Sequence, residues 1–335
     1  MALKLEYLKN QSLEACESLR QIHSEGMHLM RQQRCAEFLQ YAIDPEDWTE
    51  RLNRANFCHQ KTCPVCAYIR TSKLRIRLFN GMPRLRADYP AARFLLLTLT
   101  VKNCHYQELR SHIRMMEAGF HRMHCNSAFP AIGFLKSVEV TRPRDYYYYG
   151  QYIGRLSGGT VNRWRSHLEK LPSWDYRQWR SFCTEEAHPH FHVLMMVNES
   201  YFVRDGDEYL AQKEWQQMWK RSARLDYDPV VDIRVADRLN GSILEVSKYC
   251  IKTSEMIDVI GCLAMRQLHG RRLISIGGVF SDYFSQKALD AIAQTGKLGN
   301  EHWQQGAPCH YQCHYQWVND HYSLVRLANL EWEAG

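Results

Sequence analysis

Three histidines at every second position, His188, His190 and His192 in HPHFHVLMMV, run straight into an apolar stretch. A β-strand reverses its side chains at each residue, so these imidazoles share one face while Phe191, Val193 and Met195 point to the other. Imidazoles two residues apart on one face can chelate a divalent ion and leave coordination positions open for a substrate. Pro189 removes a backbone donor and suits a strand start or edge, so His188 is expected just outside the sheet, with His190 and His192 as the ligand pair. An ion held for catalysis needs a further donor. Glu139 in SVEVT is the one acidic residue inside an otherwise apolar strand, either a third ligand or an edge residue facing solvent.

Cys58, Cys63 and Cys66 are spaced C-x4-C-x2-C and bring three thiolates within reach of one zinc ion, with Cys35 the expected fourth ligand and His59 the alternative. The chain begins MALKLEYLKN, with charges where an export signal has its apolar core. Its twelve cysteines therefore read as reduced thiols and metal ligands, and the cytoplasm as the expected location. Arg70, Lys73, Arg75 and Arg77 follow the cysteines on a basic helical pattern, either touching DNA phosphates or forming a solvated face. In EVSKYCIK, Glu245 and Tyr249 are four apart, as are Lys248 and Lys252, so one helical surface presents a carboxylate, a phenol and ammonium groups. Near the end of the chain, Cys309-His310 and Cys313-His314 are candidates for a second metal.

The elements that must carry these groups are legible in outline. Arg93 to Val101 is β-rich, and the helical pattern after it repeats Leu109, Ile113, Met116 and Phe120 at three or four residues. Ala131 to Arg142 and His188 to Asn198 read as strands, Tyr209 to Leu225 as a helix, PVVDIRVA as a short strand and Gly241 to Met256 as a helix. The order β-α-β-β-α-β followed by a helix is the split βαβ, ferredoxin-like arrangement, an α+β fold. The chain has 335 residues, 45% of them hydrophobic, and a formal charge of +7, which permits a nucleic-acid partner without requiring one. No window approaches the run of about eighteen apolar residues that spans a membrane, so no membrane partner is expected.

Taken together, FLLLTLTV, LKSVEVT, HPHFHVLMMV and EVSKYCIK, in that order, resemble the HUH endonucleases, in particular the replication initiators of rolling-circle plasmids. RRLISIGGVF and NFCHQKTCPVC resemble further segments of those initiators, and the resemblance runs over roughly residues 30 to 285. It implies an HUH catalytic core with an RRM-like antiparallel sheet, behind a zinc-bearing N-terminal segment. By the same resemblance His190 and His192 are ligands of Mg²⁺ or Mn²⁺, Glu139 is the third ligand and His188 a substitute. Tyr249 is the nucleophile that forms a 5′-phosphotyrosyl link with single-stranded DNA and frees a 3′-hydroxyl. Glu245 activates water for the terminating cut, and Lys248 or Lys252 stabilises the phenolate. Lys248 fits less well, because it adjoins the nucleophile and projects about 100° away on a helix.

The expected organisation is an N-terminal helical segment with the cysteine motif (1–90), a catalytic domain (91–285) carrying an insert (143–186), and a C-terminal extension (286–335). The insert interleaves Tyr and Trp with Arg, which suits stacking on unpaired bases or a hairpin core of its own. Expected partners are single-stranded DNA, the plasmid double-strand origin, and a host helicase and DNA polymerase. A transposase or relaxase of the same superfamily is the near alternative. A zinc-containing repressor that binds duplex DNA without cutting it is the alternative from a different class.

Overall fold

A computed structural model of the chain describes residues 2–21, 26–43, 50–156, 170, 175–203, 208–236, 239–247, 255, 257–284 and 311–329. In chain order its main elements are α1 (Ala2–Gln21), α2 (Met27–Gln33), β1 (Phe38–Ile43), β2 (Glu50–Ala55), α3 (Pro64–Asp88), β3 (Arg93–Thr100), β4 (Cys104–His105), α4 (Leu109–His124) and β5 (Ala131–Thr141). There follow β6 (Arg144–Tyr148), β7 (Gln151–Leu156), β8 (Trp179–Cys183), β9 (Glu186–Val197), α5 (Gln212–Ala223), β10 (Val231–Val235) and α6 (Leu239–Val246). The last are α7 (Val259–Gln267), β11 (Ile274–Gly278), α8 (Phe280–Phe284), β12 (Tyr311–Val318) and β13 (His321–Asn329).

The central sheet has the order β10-β3-β9-β5-β11, and each neighbouring pair is antiparallel. Four of these strands, with α4 linking β3 to β5 and α5 linking β9 to β10, make the split βαβ arrangement expected from the sequence, and the fold is α+β. β11 adds a fifth strand beside β5, from the RRLISIGGVF segment.

Strand alternation divides the core in two. Phe191, Val193, Met195 and Val197 of β9 face one layer with Leu95, Leu97 and Leu99 of β3, covered by α4 and α5. The four-and-three spacing of Leu109, Ile113, Met116, Phe120 and Met123 makes α4 amphipathic, and all five are buried. Gly119 lets α4 meet α5 closely: a Cβ there would lie 2.9 Å from Ala223 Cα. Leu194 and Met196 face the opposite layer, with Leu78 and Leu85 of α3, Ile243 and Val246 of α6, and Phe280 and Phe284 of α8. The imidazoles of His190 and His192 belong to this second face, so α3 and α6 are the helices that frame them.

β12 and β13, from within the 286–335 stretch, do not stand apart. They complete a sheet of order β13-β12-β1-β2, with Cys313 opposite Tyr41. Cys313 is buried in that module's core, whereas the adjacent His314 projects from the other face of the strand, against Phe38. These two residues therefore do not chelate one ion together, and Cys309 and His310 lie outside the described residues. The insert forms its own sheet, β7-β6-β8. Tyr146 packs on Trp179 and Tyr147 on Phe182, while Tyr149 and Tyr152 are exposed.

Candidate active site

The register of β5 against β9 builds the site. Glu139 stands opposite His190 and Ser137 opposite His192, while on the other side Thr98 of β3 faces His192. Glu139 Oε2 lies 2.8 Å from His192 Nε2 and 3.4 Å from His190 Nε2. The three residues are 5%, 6% and 8% exposed for Glu139, His192 and His190, which removes the alternative of a solvent-facing edge glutamate: β5 is an interior strand. Burial works against the Glu139 charge, but the hydrogen bonds with His190 and His192 outweigh it and hold the carboxyl well below the usual carboxylate range.

The far side of each imidazole is also fixed. His190 Nδ1 lies 3.2 Å from the carbonyl of His188, which can only accept, so Nδ1 carries a proton and Nε2 is the atom turned to Glu139. His192 Nδ1 lies 3.3 Å from Thr98 Oγ1. Such outer partners set the tautomer and aim the ring that binds a metal. Two Nε2 atoms and one carboxylate oxygen, all within 4.8 Å of one another, fit a divalent ion with positions left open. Imidazole donors suit Mn²⁺ better than Mg²⁺, which favours oxygen ligands.

His188 is not outside the sheet. It belongs to β9 and pairs with Thr141, next to Pro189 opposite Val140. β3 pairs with β9 only as far as His190, and β4 takes over at Ala187. Pro189 therefore falls in the gap between them, where a missing donor is tolerated. The His188 ring stacks near His190 and bonds Asn103 Oδ1 at 2.9 Å, away from the Glu139 carboxylate. Burial, and then His190, push it down to about 4.

α6 covers this face. Ile243 and Val246 are buried in the core beneath it, and Glu245 Oε1 comes to 3.7 Å from His192 Nε2. Beside Glu245 runs an open groove of about 360 Å³, lined by Leu96, Arg234 and Ser242 among others. The described part of α6 runs to Val246, and Lys248, Tyr249 and Lys252 lie outside the described residues.

The cysteines converge at the start of α3. Pro64 at the first helical position follows Cys63 at the cap, so the helix start itself presents Cys63 and Cys66. The sulfur of Cys35 lies 3.6 Å from those of Cys63 and Cys66, and Cys58 lies 3.6 Å from Cys66. A tetrahedral zinc with Zn–S of about 2.3 Å sets S···S near ~3.8 Å, so the cluster is consistent with a zinc site, with Cys35 as its fourth member. His59 instead supplies its backbone N–H to Cys66 Sγ at 3.2 Å. Two residues of α1 that sequence reasoning missed support the cluster. Ser12 Oγ touches Cys63 Sγ, and buried Lys9 donates to the carbonyls of Gln33 and Cys35 at 2.5 and 2.7 Å.

The basic residues of α3 divide. Arg70 and Lys73 are exposed. Arg75 Nε donates to Ser247 Oγ at 3.0 Å, which ties α3 to the end of α6 and gives this arginine an internal role. Arg77 is half-buried.

No helix among the described residues is long and apolar enough to cross a membrane. No solved structure matches the chain. Protein rep of Streptococcus pneumoniae serotype 2 (strain D39 / NCTC 7466) is 32% identical over 291 residues, covering 84% of this chain and 78% of the relative. Protein rep of Bacillus amyloliquefaciens is 27% identical over 293 residues, covering 79% and 74%. A replication protein of Staphylococcus aureus is 28% identical over 218 residues, covering 60% and 76%. The sequence model of the family described as replication protein matches residues 49–323, a span that takes in Cys58, Cys63 and Cys66 of the cysteine cluster, the Glu139, His190 and His192 site and α6, and the chain belongs to that family.

Proposed function

We propose that this protein initiates rolling-circle replication of a plasmid by nicking and rejoining single-stranded DNA through Tyr249. The observation that carries this reading is the convergence of Glu139, His190 and His192 beneath a helix whose Glu245 reaches their edge, with Tyr249 four residues further along the chain. A Mg²⁺ or Mn²⁺ ion held by these three side chains would draw charge from the oxygens of a scissile phosphate and align it for in-line attack. Tyr249 Oη then bonds to phosphorus and the 3′-oxygen leaves, taking up a proton, so the products are a 5′-phosphotyrosine and a free 3′-hydroxyl. Lys252 or Lys248 neutralises the phenolate.

Termination is a second cleavage. Glu245, half-exposed beside the groove, accepts a proton from water for that cut, so release needs no second tyrosine. In this reading His188 is a reserve donor, and residues 91–285 form the catalytic part. The tetrathiolate cluster of Cys35, Cys58, Cys63 and Cys66 holds a structural zinc in residues 1–90. Arg70, Lys73 and Arg77 contact phosphates of the double-strand origin. The insert stacks bases on Tyr149 and Tyr152, a host helicase and polymerase extend the freed 3′-hydroxyl, and the protein works in the cytoplasm.

The test is incubation of the protein with labelled single-stranded origin DNA and Mn²⁺, followed by denaturing electrophoresis. A labelled protein band that disappears with EDTA and in Tyr249→Phe is the expected outcome. A band that persists in Tyr249→Phe rejects this nucleophile.

A further inference from the structure

We propose that His121, His124 and Cys125 form a separate site for a zinc-class divalent ion at the C-terminal end of α4. Residues three and four apart share one side of a helix, and HRMHC places both imidazoles and the thiol there. Cys125 Sγ lies 3.9 Å from His121 Nδ1 and 3.7 Å from His124 Nδ1, and all three donor atoms fall within 4.8 Å of one another. A tetrahedral zinc, with bonds of about 2.0–2.1 Å to nitrogen and 2.3 Å to sulfur, sets N···S near ~3.6 Å. Both N···S separations therefore stand within a few tenths of an ångström of that geometry.

His124 is the anchor of the three. It is half-buried, its ring packed against Phe120 and Phe134 at centroid distances of 5.5 and 5.1 Å. His121 and Cys125 are exposed, so ions reach the site from solvent and a fourth position stays open. The last carbonyls of α4 put the negative end of the helix dipole at this point, which favours a cation. Two imidazoles and a thiolate select zinc, cobalt or nickel over magnesium and manganese.

The site rests on no part of the nicking reading. It lies on the α4 side of the central sheet, where Phe120 meets Phe191 at 6.2 Å, whereas the imidazoles of His190 and His192 point to the other side. An ion here has different chemistry and a different access route.

The full chain, purified with zinc and then titrated with Co²⁺, gives the test, comparing the native protein with His121→Ala and Cys125→Ser. Both side chains are exposed, so the variants are expected to melt like the native protein before cobalt is added. The native chain is expected to bind one more cobalt than Cys125→Ser, with a thiolate-to-cobalt charge-transfer band that Cys125→Ser lacks. In His121→Ala the affinity falls at least about tenfold. Any cobalt entering the four-cysteine cluster appears equally in all three proteins and cancels in the difference spectra. Equal stoichiometry and affinity in the three proteins, or a full charge-transfer band in Cys125→Ser, overturns the proposal.

Discussion

Thr98→Val tests the proposal that Glu139, His190 and His192 hold a metal ion. Valine keeps the shape of threonine and suits a strand, so β3 is left intact and only the hydroxyl 3.3 Å from His192 Nδ1 is removed. In the ion-free protein His192 can carry its proton on Nε2, donate to Glu139 at 2.8 Å and leave Nδ1 a lone pair. Once Nε2 ligates an ion, the proton must sit on Nδ1, where Thr98 Oγ1 accepts it. The substitution therefore orphans a buried N–H in the metal-bound state alone. An orphaned donor costs about 1–3 kcal/mol, which is about a 5- to 140-fold loss of affinity at 1.4 kcal/mol per tenfold.

Mn²⁺ titration followed by electron paramagnetic resonance of the free aqua ion measures this loss directly. Nicking in Thr98→Val should recover at high Mn²⁺, while unfolding of the ion-free protein changes little. Thr98→Ser, which restores the hydroxyl, should restore affinity. Native Mn²⁺ affinity in Thr98→Val, or an equal loss in Thr98→Ser, refutes the role given to this hydroxyl.

If Glu245 activates water only for the terminating cut, as proposed, Glu245→Gln should leave formation of the covalent adduct within a fewfold of native while slowing its release; a time course of adduct and free product measures the ratio, and unchanged release removes Glu245 from that role. Lys9→Met leaves the carbonyls of Gln33 and Cys35 without their buried donor, an expected loss of about 1–3 kcal/mol, seen as earlier zinc release to a chromogenic chelator during urea unfolding. Gly119→Ala improves helix propensity by about 1 kcal/mol, yet its Cβ would press on Ala223 Cα at 2.9 Å. The net change should be destabilising by about 1–3 kcal/mol, and a denaturation midpoint above native would contradict the α4–α5 packing. Lys136 is buried over the rings of Phe191 and Phe120, and burial lowers it from 10.5 to about 8. The unfolded chain then binds the extra proton between those values, so stability rises with pH from about 8 to 10.5, and Lys136→Met should flatten that rise in a pH series of unfolding curves.

Local patterns in the sequence carried much of this fold, because alternation and three-four spacing are properties of one segment at a time. The three strands around His190 and the amphipathic α4 follow from them. β11, β12 and β13 do not: a short strand ending in glycines and a tail rich in Tyr and Gln gain their place only by pairing with β5 and β1, far away in the chain. Lys9 and Ser12 escaped for the same reason, since nothing within α1 signals that it lies over the cysteines.

The site shows where that limit falls. Periodicity within β9 puts His190 and His192 on one face, and the acidic residue within β5 is conspicuous, yet neither strand states its register against the other. Glu139 meets the imidazoles because it pairs with His190. A slip of one residue would turn it to the opposite face, into the layer of Phe120 and Phe191. Around the site that register is held by apolar pairs such as Leu135 with Leu194 and Val138 with Phe191, residues with no part in the chemistry. Their burial fixes which carboxylate the histidines see. A substitution that shifts this pairing is therefore expected to abolish metal binding with every ligand still present, which separates loss of register from loss of a ligand when the ion is titrated and the sheet is followed by hydrogen exchange.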